Sequence, residues 1–435
     1  LALLLLFAAA RAEFDPDEFK PYRIAVRTMP FYIGSADTYV EGDFEVYFID
    51  GVDDLPYVEL HAWTDIMNLL YHEWLGDEGY RLELTEDDSI LTYTRENDHY
   101  MTLDFDQKTV LWGDYNGFVH KSGGASLLDI LGSTGFNENG EAELYQRIPS
   151  SAFDRYGDVV KLDMFESGIP MIEQDDAFYM PLQTLSDFMV AVPMLASVLW
   201  NGQALMLANA DLLGTAPNAL TDLGQLYYSA QPRARSQELA EFGYAELCLV
   251  LNQLYGLKDT HEIEDFAQIF WQIGFDERLT DADPGKADQA LCDFINYFLD
   301  DLHSDFRGCS WMAGAERLNS GVGLAARKID ENARAYQTAR AAAYPEGIPA
   351  YQEVGNTAYL TLDAFASGLP GAYYDGTAEL DITSDTIALI LYAHERITRP
   401  DSPIENVVVD LSNNMGGEVD AALFLLGWFL GEAPF

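Results

Sequence analysis

The chain has little cysteine and no pattern of metal ligands. Its three cysteines, Cys248, Cys292 and Cys309, are widely spaced and form no CxxC pair, which excludes a disulfide framework and a cysteine-based zinc site. The seven histidines form no HExxH motif and no i, i+4 pair, so the sequence predicts no metal and no cofactor. Cys248 and Cys292 lie within apolar helical patterns, which predicts buried thiols.

Positive charge is scarce as well. There are 24 Lys and Arg residues against 72 Asp and Glu residues, which gives a formal net charge of 24 − 72 = −48. Such a surface repels phosphate backbones and anionic lipid, so nucleic acid is not an expected partner. Since 49% of the residues are hydrophobic, the chain can build large cores and is not expected to be disordered. A length of 435 residues predicts two to four domains.

The longest apolar run at the N-terminus is too short to span a bilayer. Leu1 to Ala10 has the composition of a signal-peptide core, and Ala10-Arg11-Ala12 fits a small-x-small cleavage site. Residues 1–12 are therefore interpreted as the remnant of a signal peptide, with the mature chain beginning near Glu13. A short buried helix is the alternative. The first reading predicts an exported bacterial protein, extracellular or at the cell surface.

Two N-terminal segments, 13–150 and 151–232, share an order of elements. In both, strands lead into a helix, with Pro56–Leu60 of the first matching Met180–Leu185 of the second, and a hairpin pattern follows. In the second segment the hairpin contains Asn201-Gly202, the signal of a two-residue type I′ loop with positive φ at both positions. We expect a duplicated α+β module. It resembles the copper-amine-oxidase N-terminal-like domain, but no histidine cluster accompanies it and no copper is implied.

The pattern becomes helical over residues 233–345, where apolar residues recur at three- and four-residue spacing. Residues 346–435 then alternate between strand and helix. The predicted elements are a strand at Ala358–Phe365, a helix at Asp385–Arg396, a strand at Val407–Leu411 and a helix from about Glu418. This order predicts an α/β layer with parallel strands. The fold class is therefore multidomain, α/β and α+β.

A glycine pair follows the last predicted strand, in Asp410-Leu411-Ser412-Asn413-Asn414-Met415-Gly416-Gly417. A strand that ends in a Gly pair at a helix N-terminus directs backbone N–H groups toward one point, which suits an anion or a developing oxyanion. The segment resembles the DLRNNGGG signature of the S41 peptidases, the tail-specific or C-terminal-processing proteases. The resemblance covers roughly Arg233 to Phe435 and implies the start of a crotonase-like (ClpP/crotonase) core. It also implies that Gly416 and Gly417 form the oxyanion hole.

His303 is the candidate general base. Asp301-Leu302-His303-Ser304 resembles the D-x-H-S/T motif of the S41 branches related to the tricorn core and the chlamydial protease, with Leu302 where Gly is commoner. Imidazole suits the task because its ordinary pKa lies near neutral pH. The alternative is a surface or capping histidine at a helix end. Two positions depart from the Gly motif, Ser412 for the usual Arg and Met415 for the first Gly.

The nucleophilic serine of this family lies on a later segment, in a run similar to T-x-S-A/G-A/G-E. No such run is present in the sequence, and Ser122 and Ser126 fall in a glycine-rich stretch that predicts a loop. The serine is therefore expected beyond Phe435, and the 435 residues are expected to be catalytically incompetent. A lysine base, as in the Ser–Lys branch, would fall there too. The segment between His303 and Ala358 is too short to contain a PDZ domain.

The leading hypothesis is an exported serine-type peptidase of the S41 family that acts on a polypeptide substrate. A non-catalytic relative that binds peptide ends or cell-wall material is the first alternative. The second is a cell-surface interaction protein in which the N-terminal modules are the functional part.

Overall fold

A computed structural model describes residues 21–37, 39–76, 80–95, 99–119, 135–136, 142–143, 157–209, 212–213, 221–299, 304, 306, 310–314, 323–368, 377 and 380–430. The chain divides into two compact units. Unit 1 comprises Leu1–Lys121 with Gly157–Gly321, and unit 2 comprises Ser122–Tyr156 with Val322–Phe435. Both helices and several sheets are present, which confirms the prediction of a multidomain α/β and α+β protein. No helix in the described ranges is long and apolar enough to cross a membrane.

The described strands of unit 1 form two sheets. Their strands are β1 (Ile24–Ile33), β2 (Tyr39–Ile49), β3 (Tyr57–Glu59), β4 (Glu83–Asp87), β5 (Ile90–Thr94), β6 (Tyr100–Asp104) and β7 (Thr109–Trp112), followed, after β8 and β9 of unit 2, by β10 (Val160–Asp163), β11 (Ile172–Gln174), β12 (Ala177–Pro181), β13 (Ser197–Trp200) and β14 (Leu205–Ala208). The seven-stranded sheet has the order β11-β12-β3-β2-β1-β14-β13, and the five-stranded sheet has the order β10-β7-β6-β5-β4.

The helices of unit 1 lie against these sheets and then form a helical part of their own. They are α1 (Leu60–Leu70), α2 (Tyr115–Val119), α3 (Leu182–Ser186), α4 (Val192–Met194), α5 (Asp222–Tyr227), α6 (Gln237–Leu254), α7 (Phe266–Ile273), α8 (Asp276–Leu279) and α9 (Pro284–Phe294). The chain continues as a π turn after α1 (Tyr71–Leu75), after α3 (Asp187–Ala191) and after α9 (Ile295–Leu299), and a 3₁₀ turn spans Trp311–Ala313.

The two segments expected as consecutive modules, 13–150 and 151–232, share both sheets. Strand β10 joins β7 in one sheet, and β12 joins β3 in the other. β14 also pairs parallel to β1. The expectation of separate modules therefore differs from the observed topology, because strands of the second segment join both sheets that the first segment begins.

The two segments matched in sequence, Pro56–Leu60 and Met180–Leu185, nevertheless occupy equivalent positions at the junction of a strand and a helix. β3 and β12 pair antiparallel with Val58 opposite Met180, and each strand leads directly into a helix, α1 or α3. The register is symmetric about that central pair, with Tyr57 opposite Pro181 and Glu59 opposite Tyr179. Both helices then continue as π turns. The repeated sequence pattern thus describes a local two-fold arrangement inside one unit.

The hairpin predicted at Asn201-Gly202 is present, but its turn is of another kind. Trp200 pairs with Leu205, so the loop has the four residues 201–204 rather than two. Only Gly202 of the predicted pair has a positive φ, 86°. Asn201 is fully buried, and its side chain accepts from the N–H groups of Gln203 and Ala204 while it donates to two carbonyls of α5 and its end. The role of Asn201 is therefore to make these hydrogen bonds, and not to adopt the positive φ of a type I′ loop.

An apolar core forms among the helices of unit 1. It contains Phe266 and Phe270 of α7, Phe294 of α9 and Cys248 of α6. Cys248 is 7% exposed and Cys292 is 1% exposed, which confirms the prediction that both thiols are buried. Cys309 lies outside the described residues.

Unit 2 contains the predicted α/β layer. Its elements are β8 (Gly135–Phe136), β9 (Ala142–Glu143), α10 (Leu324–Ala343), β15 (Tyr351–Val354), β16 (Thr357–Thr361), α11 (Thr386–Thr398), β17 (Asn406–Asp410) and α12 (Val419–Leu430). Strands β15, β16 and β17 are neighbours in that order, and β16 and β17 run parallel with α11 as the crossover. The predicted succession of strand, helix, parallel strand and helix is confirmed.

Candidate functional site

The candidate site lies where β16 and β17 end in unit 2. Because parallel strands end at the same edge of a sheet, the segments that follow them run side by side. The Leu362 N–H donates to the Asp410 carbonyl at 3.1 Å, and the Phe365 N–H donates to the Gly416 carbonyl at 2.9 Å. The Glu418 N–H donates back to the Phe365 carbonyl at 2.8 Å. The turn that contains Gly416 and Gly417, called the Gly turn below, is therefore joined to the segment after β16 immediately before α12 begins.

The two glycines are required for different reasons. Gly416 has a φ of 109° and Gly417 a φ of 136°, both in the region that favours glycine. A Cβ on Gly417 would lie 2.0 Å from the Phe365 carbonyl oxygen, whereas a Cβ on Gly416 would have no atom within 4 Å. Met415, which replaces the first Gly of the family motif, has a negative φ and needs no glycine.

The Gly417 N–H points away from Phe365. The bridge between the two segments uses the Gly416 carbonyl and the Glu418 N–H, so the peptide groups of Gly417 itself face the opposite side. Its N–H has no acceptor in the part of the chain that the structure describes. The Gly416 N–H, by contrast, donates to Asn414 Oδ1 at 2.8 Å. One backbone donor is thus available at the start of α12, where the helix dipole also favours negative charge.

Asn414 holds the turn in place. Its Nδ2 donates to the Leu362 carbonyl at 3.0 Å, while its Oδ1 accepts from Gly416. The side chain thus connects the segment after β17 to the segment after β16. Asn414 therefore shapes the turn through its side-chain hydrogen bonds.

A chain of hydroxyl groups leads from α10 to the last residue of β17. Ser412 Oγ donates to Asp410 Oδ1 at 2.5 Å, and the Ser412 N–H donates to the same oxygen at 2.9 Å. Because the Ser412 proton is used there, the Tyr336 hydroxyl is the donor in its 2.5 Å contact with Ser412 Oγ. These bonds from Ser412, followed by the charge of Arg340, lower the pKa of Asp410.

Arg340 places a cation near the turn although position 412 lacks the arginine of the family motif. Its Nη1 donates to Asp363 Oδ2 at 2.7 Å, and that bond raises its own pKa. Sequence reasoning missed Tyr336 and Arg340, which lie on a mostly exposed helix with no motif around them. No local signal in the sequence relates α10 to the Gly turn.

One acidic group stands beside the available donor. The Glu418 side chain accepts a hydrogen bond from the Ser367 hydroxyl, which holds it against the segment after β16. Among the described residues, no group of three or more His, Cys, Asp and Glu side chains could hold a metal ion. The turn therefore presents backbone polarity, with an acidic neighbour and a nearby guanidinium.

The structure brings Gly416 and Gly417 together in one turn. His303, Ser122 and Ser126 lie outside the described residues, so the candidate general base has no position relative to the turn. The assignment of His303 stays a prediction from the motif.

Comparison with known proteins identifies no relative. No protein-family model, no curated protein and no solved structure matches this chain.

Proposed function

We propose that unit 2 supplies the oxyanion-binding turn of an exported serine-type peptidase of the S41 type, built on the start of a crotonase-like core. The observation that carries the proposal is the unpaired Gly417 N–H at the junction of β17 and α12, in a sequence that resembles the family's Gly motif. A backbone donor at that position is suited to the oxygen of a tetrahedral intermediate. The substrate class is polypeptide.

The proposed roles of the two glycines differ. Gly417 donates to the oxyanion, whereas Gly416 shapes the turn, since its own N–H is engaged by Asn414 and its carbonyl by Phe365. His303 acts as the general base that takes the proton of the serine hydroxyl. The nucleophilic serine comes from a segment outside the 435 residues, in the order that the family resemblance implies.

A second candidate function uses the same donor without catalysis. A carboxylate at the end of a peptide is an anion that the Gly417 N–H and the α12 dipole attract equally well. A non-catalytic peptide-binding protein would need no serine in the T-x-S-type run. It would hold peptide ends at this turn.

The test is covalent labelling of the protein expressed from its intact reading frame with a serine-directed phosphonate, followed by peptide mapping. We expect one labelled serine, outside residues 1–435. We also expect His303→Ala to lower the labelling rate by about 10²–10⁴-fold, the usual effect of losing a general base. His72→Ala is the control, because His72 is exposed on the π turn after α1 and lies outside the D-x-H-S/T motif.

Three results would change the proposal. A labelled serine within residues 1–435 would place the nucleophile elsewhere and overturn the family assignment. An unchanged rate in His303→Ala would transfer the role of base to a lysine. No labelling and no peptide hydrolysis by the intact protein would reject the peptidase and leave peptide binding, which a labelled peptide with a free or amidated C-terminus then tests.

A further inference from the structure

Unit 1 contains a cavity of about 590 Å³ between its sheets and its helical part. This volume lies within the range of pockets that hold small organic ligands. Its walls come from α3, β13, α6, α9 and the 3₁₀ turn, and most of its lining is apolar. Representative lining side chains are Leu182, Val198, Phe242, Leu291, Trp311 and Met312.

Two acidic side chains face this cavity from different elements. Glu246 of α6 is 4% exposed, and Asp187 begins the π turn after α3. Glu246 Oε2 accepts from the Thr184 hydroxyl at 3.0 Å, and Asp187 Oδ1 accepts from Gln183 Nε2 at 2.8 Å. Glu246 Oε1 is buried and accepts no hydrogen bond from a donor of the described residues. The side chains of Glu246 and Asp187 are hydrogen-bonded to each other, which requires that the pair holds a proton. Once the pair is ionised, Glu246 Oε1 is a buried acceptor without a donor, which is costly, and a bound donor would remove that cost.

The pair is difficult to ionise while the cavity is empty. Burial raises the pKa of Glu246 to about 8, and the neighbouring Asp187 carboxylate adds to the shift. Burial likewise raises the pKa of Asp187 to about 6. Removal from water is the main cause in both cases, because it disfavours the charged form. A cation placed between the two carboxyl groups would lower both pKa values, because it favours the charged forms.

The other polar groups of the cavity already have partners. Arg235, the one cationic side chain among the described lining residues, donates through Nε to the Asp281 carbonyl at 2.8 Å and through Nη2 to the Leu279 carbonyl. Asp54 accepts from the Ser236 N–H and hydroxyl, and Asp288 accepts from the Ser310 N–H. The remaining titratable lining groups are the phenols Tyr227 and Tyr244. Acidic groups therefore outnumber cations among the described lining residues, and Glu246 and Asp187 are the pair without a donor from another side chain for Glu246 Oε1.

We propose that this cavity binds a small organic cation, a primary ammonium that carries an aromatic or alkyl group. The ammonium donates to Glu246 Oε1 and is neutralised by Glu246 and Asp187, and its apolar part fills the space between α6 and α9. Aromatic lining residues such as Trp200 and Phe242 add faces that attract a cation. This site is separate in sequence and in unit from the Gly turn, so it does not depend on the proposed peptidase function.

Binding should depend on pH with a defined sign. A cation binds the ionised acids, so association releases protons that the empty pair retains at neutral pH. Affinity should therefore rise as the pH increases from about 6 to about 8, the interval of the two raised pKa values. A primary ammonium similar to that of lysine stays charged over this range, since its pKa is about 10.

The experiment is isothermal titration of the 435-residue protein with 2-phenylethylammonium at about pH 5.5 and about pH 8.5. The expected result is binding that is at least about tenfold tighter at the higher pH. The neutral 2-phenylethanol and the anionic phenylacetate have a similar ring and chain, and both should bind at least about tenfold more weakly than the ammonium at the higher pH. Equal binding of the alcohol, or no binding of the ammonium, would overturn the proposal.

Two variants test the residues. Glu246→Gln keeps the shape but removes the charge, and it should reduce the pH dependence to that of Asp187 alone and weaken binding at least about tenfold. Asp187→Asn should have the same direction. Glu238→Gln is the matched control, because Glu238 lies on the same helix but is exposed and does not line the cavity. If correctly folded Glu246→Gln and Asp187→Asn both bound as well as Glu238→Gln, the acid pair would not be the cation site.

Discussion

At the scale of single residues, Gly417 and Gly416 differ in how much a side chain would cost. Position 417 combines a positive φ with a backbone oxygen of Phe365 where a Cβ would be, while position 416 has a positive φ but open space around it. Strain from an unfavourable φ alone costs about 1–3 kcal/mol. Overlap with a backbone atom adds to this, because the two joined segments would have to separate.

The first prediction concerns these glycines. Gly417→Ala should lower the free energy of unfolding of unit 2 by clearly more than Gly416→Ala, which should cost about 1–3 kcal/mol. The measurement is urea unfolding of both variants and the wild type, followed by circular dichroism and by intrinsic fluorescence. Equal losses in the two variants would show that φ, and not the contact with Phe365, determines the cost.

The stability of a Gly417 variant must be measured together with its activity. A Gly417 variant that loses turnover could have lost the turn itself. The oxyanion role of the Gly417 N–H is therefore tested only by a variant that remains folded. Gly416→Ala is the comparison variant, since the structure leaves room for its methyl group and the Gly417 N–H is kept.

At the scale of elements, α11 provides the crossover that makes β16 and β17 parallel. Its N-cap is Asp385, whose side chain accepts from the N–H groups of Ile387 at 2.8 Å and Ala388 at 3.0 Å. The helix then buries Ile387 and Ile390 against the sheet. A cap of this type satisfies donors that have no partner within the helix.

The second prediction follows from this cap. Asp385→Ala should lower the free energy of unfolding of unit 2 by about 0.5–2 kcal/mol, because it leaves two N–H groups at the helix start without acceptors. Thermal unfolding monitored by calorimetry is a suitable measurement. Asp385→Asn is the matched control: it keeps the acceptor oxygen and should change stability much less. A similar loss in both variants would assign the effect to the charge at the helix N-terminus.

At the scale of the whole molecule, charge is the dominant property. A net charge of −48 on 435 residues makes the folded surface repel itself. Ion pairs such as Arg399 with Glu353, at 2.7 Å, offset this only locally, and partly exposed pairs contribute little. Salt weakens repulsion between exposed charges, since the screening length falls from about 30 Å at 0.01 M to about 8 Å at 0.15 M.

The third prediction is that salt stabilises the protein. Raising NaCl from about 0.01 M to about 0.15 M should increase the melting temperature by a few degrees, which corresponds to about 1 kcal/mol for domains of this size. Differential scanning calorimetry measures the effect, with KCl at equal ionic strength as the control for ion-specific binding. A fall in the melting temperature would mean that the ion pairs outweigh the general repulsion.

Local patterns determined much of what could be predicted. The strand predicted at Val407–Leu411 is β17 at Asn406–Asp410, and the helix predicted at Asp385–Arg396 is α11 at Thr386–Thr398. These elements can be predicted from the sequence because apolar periodicity and capping residues act over a few neighbours in the chain. The burial of Cys248 and Cys292 followed from the same helical periodicity.

The tertiary structure decided what depends on residues far apart in sequence. Tyr336 reaches Ser412 across 76 positions, and Thr184 reaches Glu246 across 62. Strands of residues 151–232 join both sheets that residues 13–150 begin for the same reason, since the pairing partner of a strand is not encoded in its own alternation. The local sequence around a Gly pair, a glutamate or a tyrosine does not reveal which distant residues they contact. Only the packing around them separates a contact with Phe365, a buried acid pair and a hydroxyl chain.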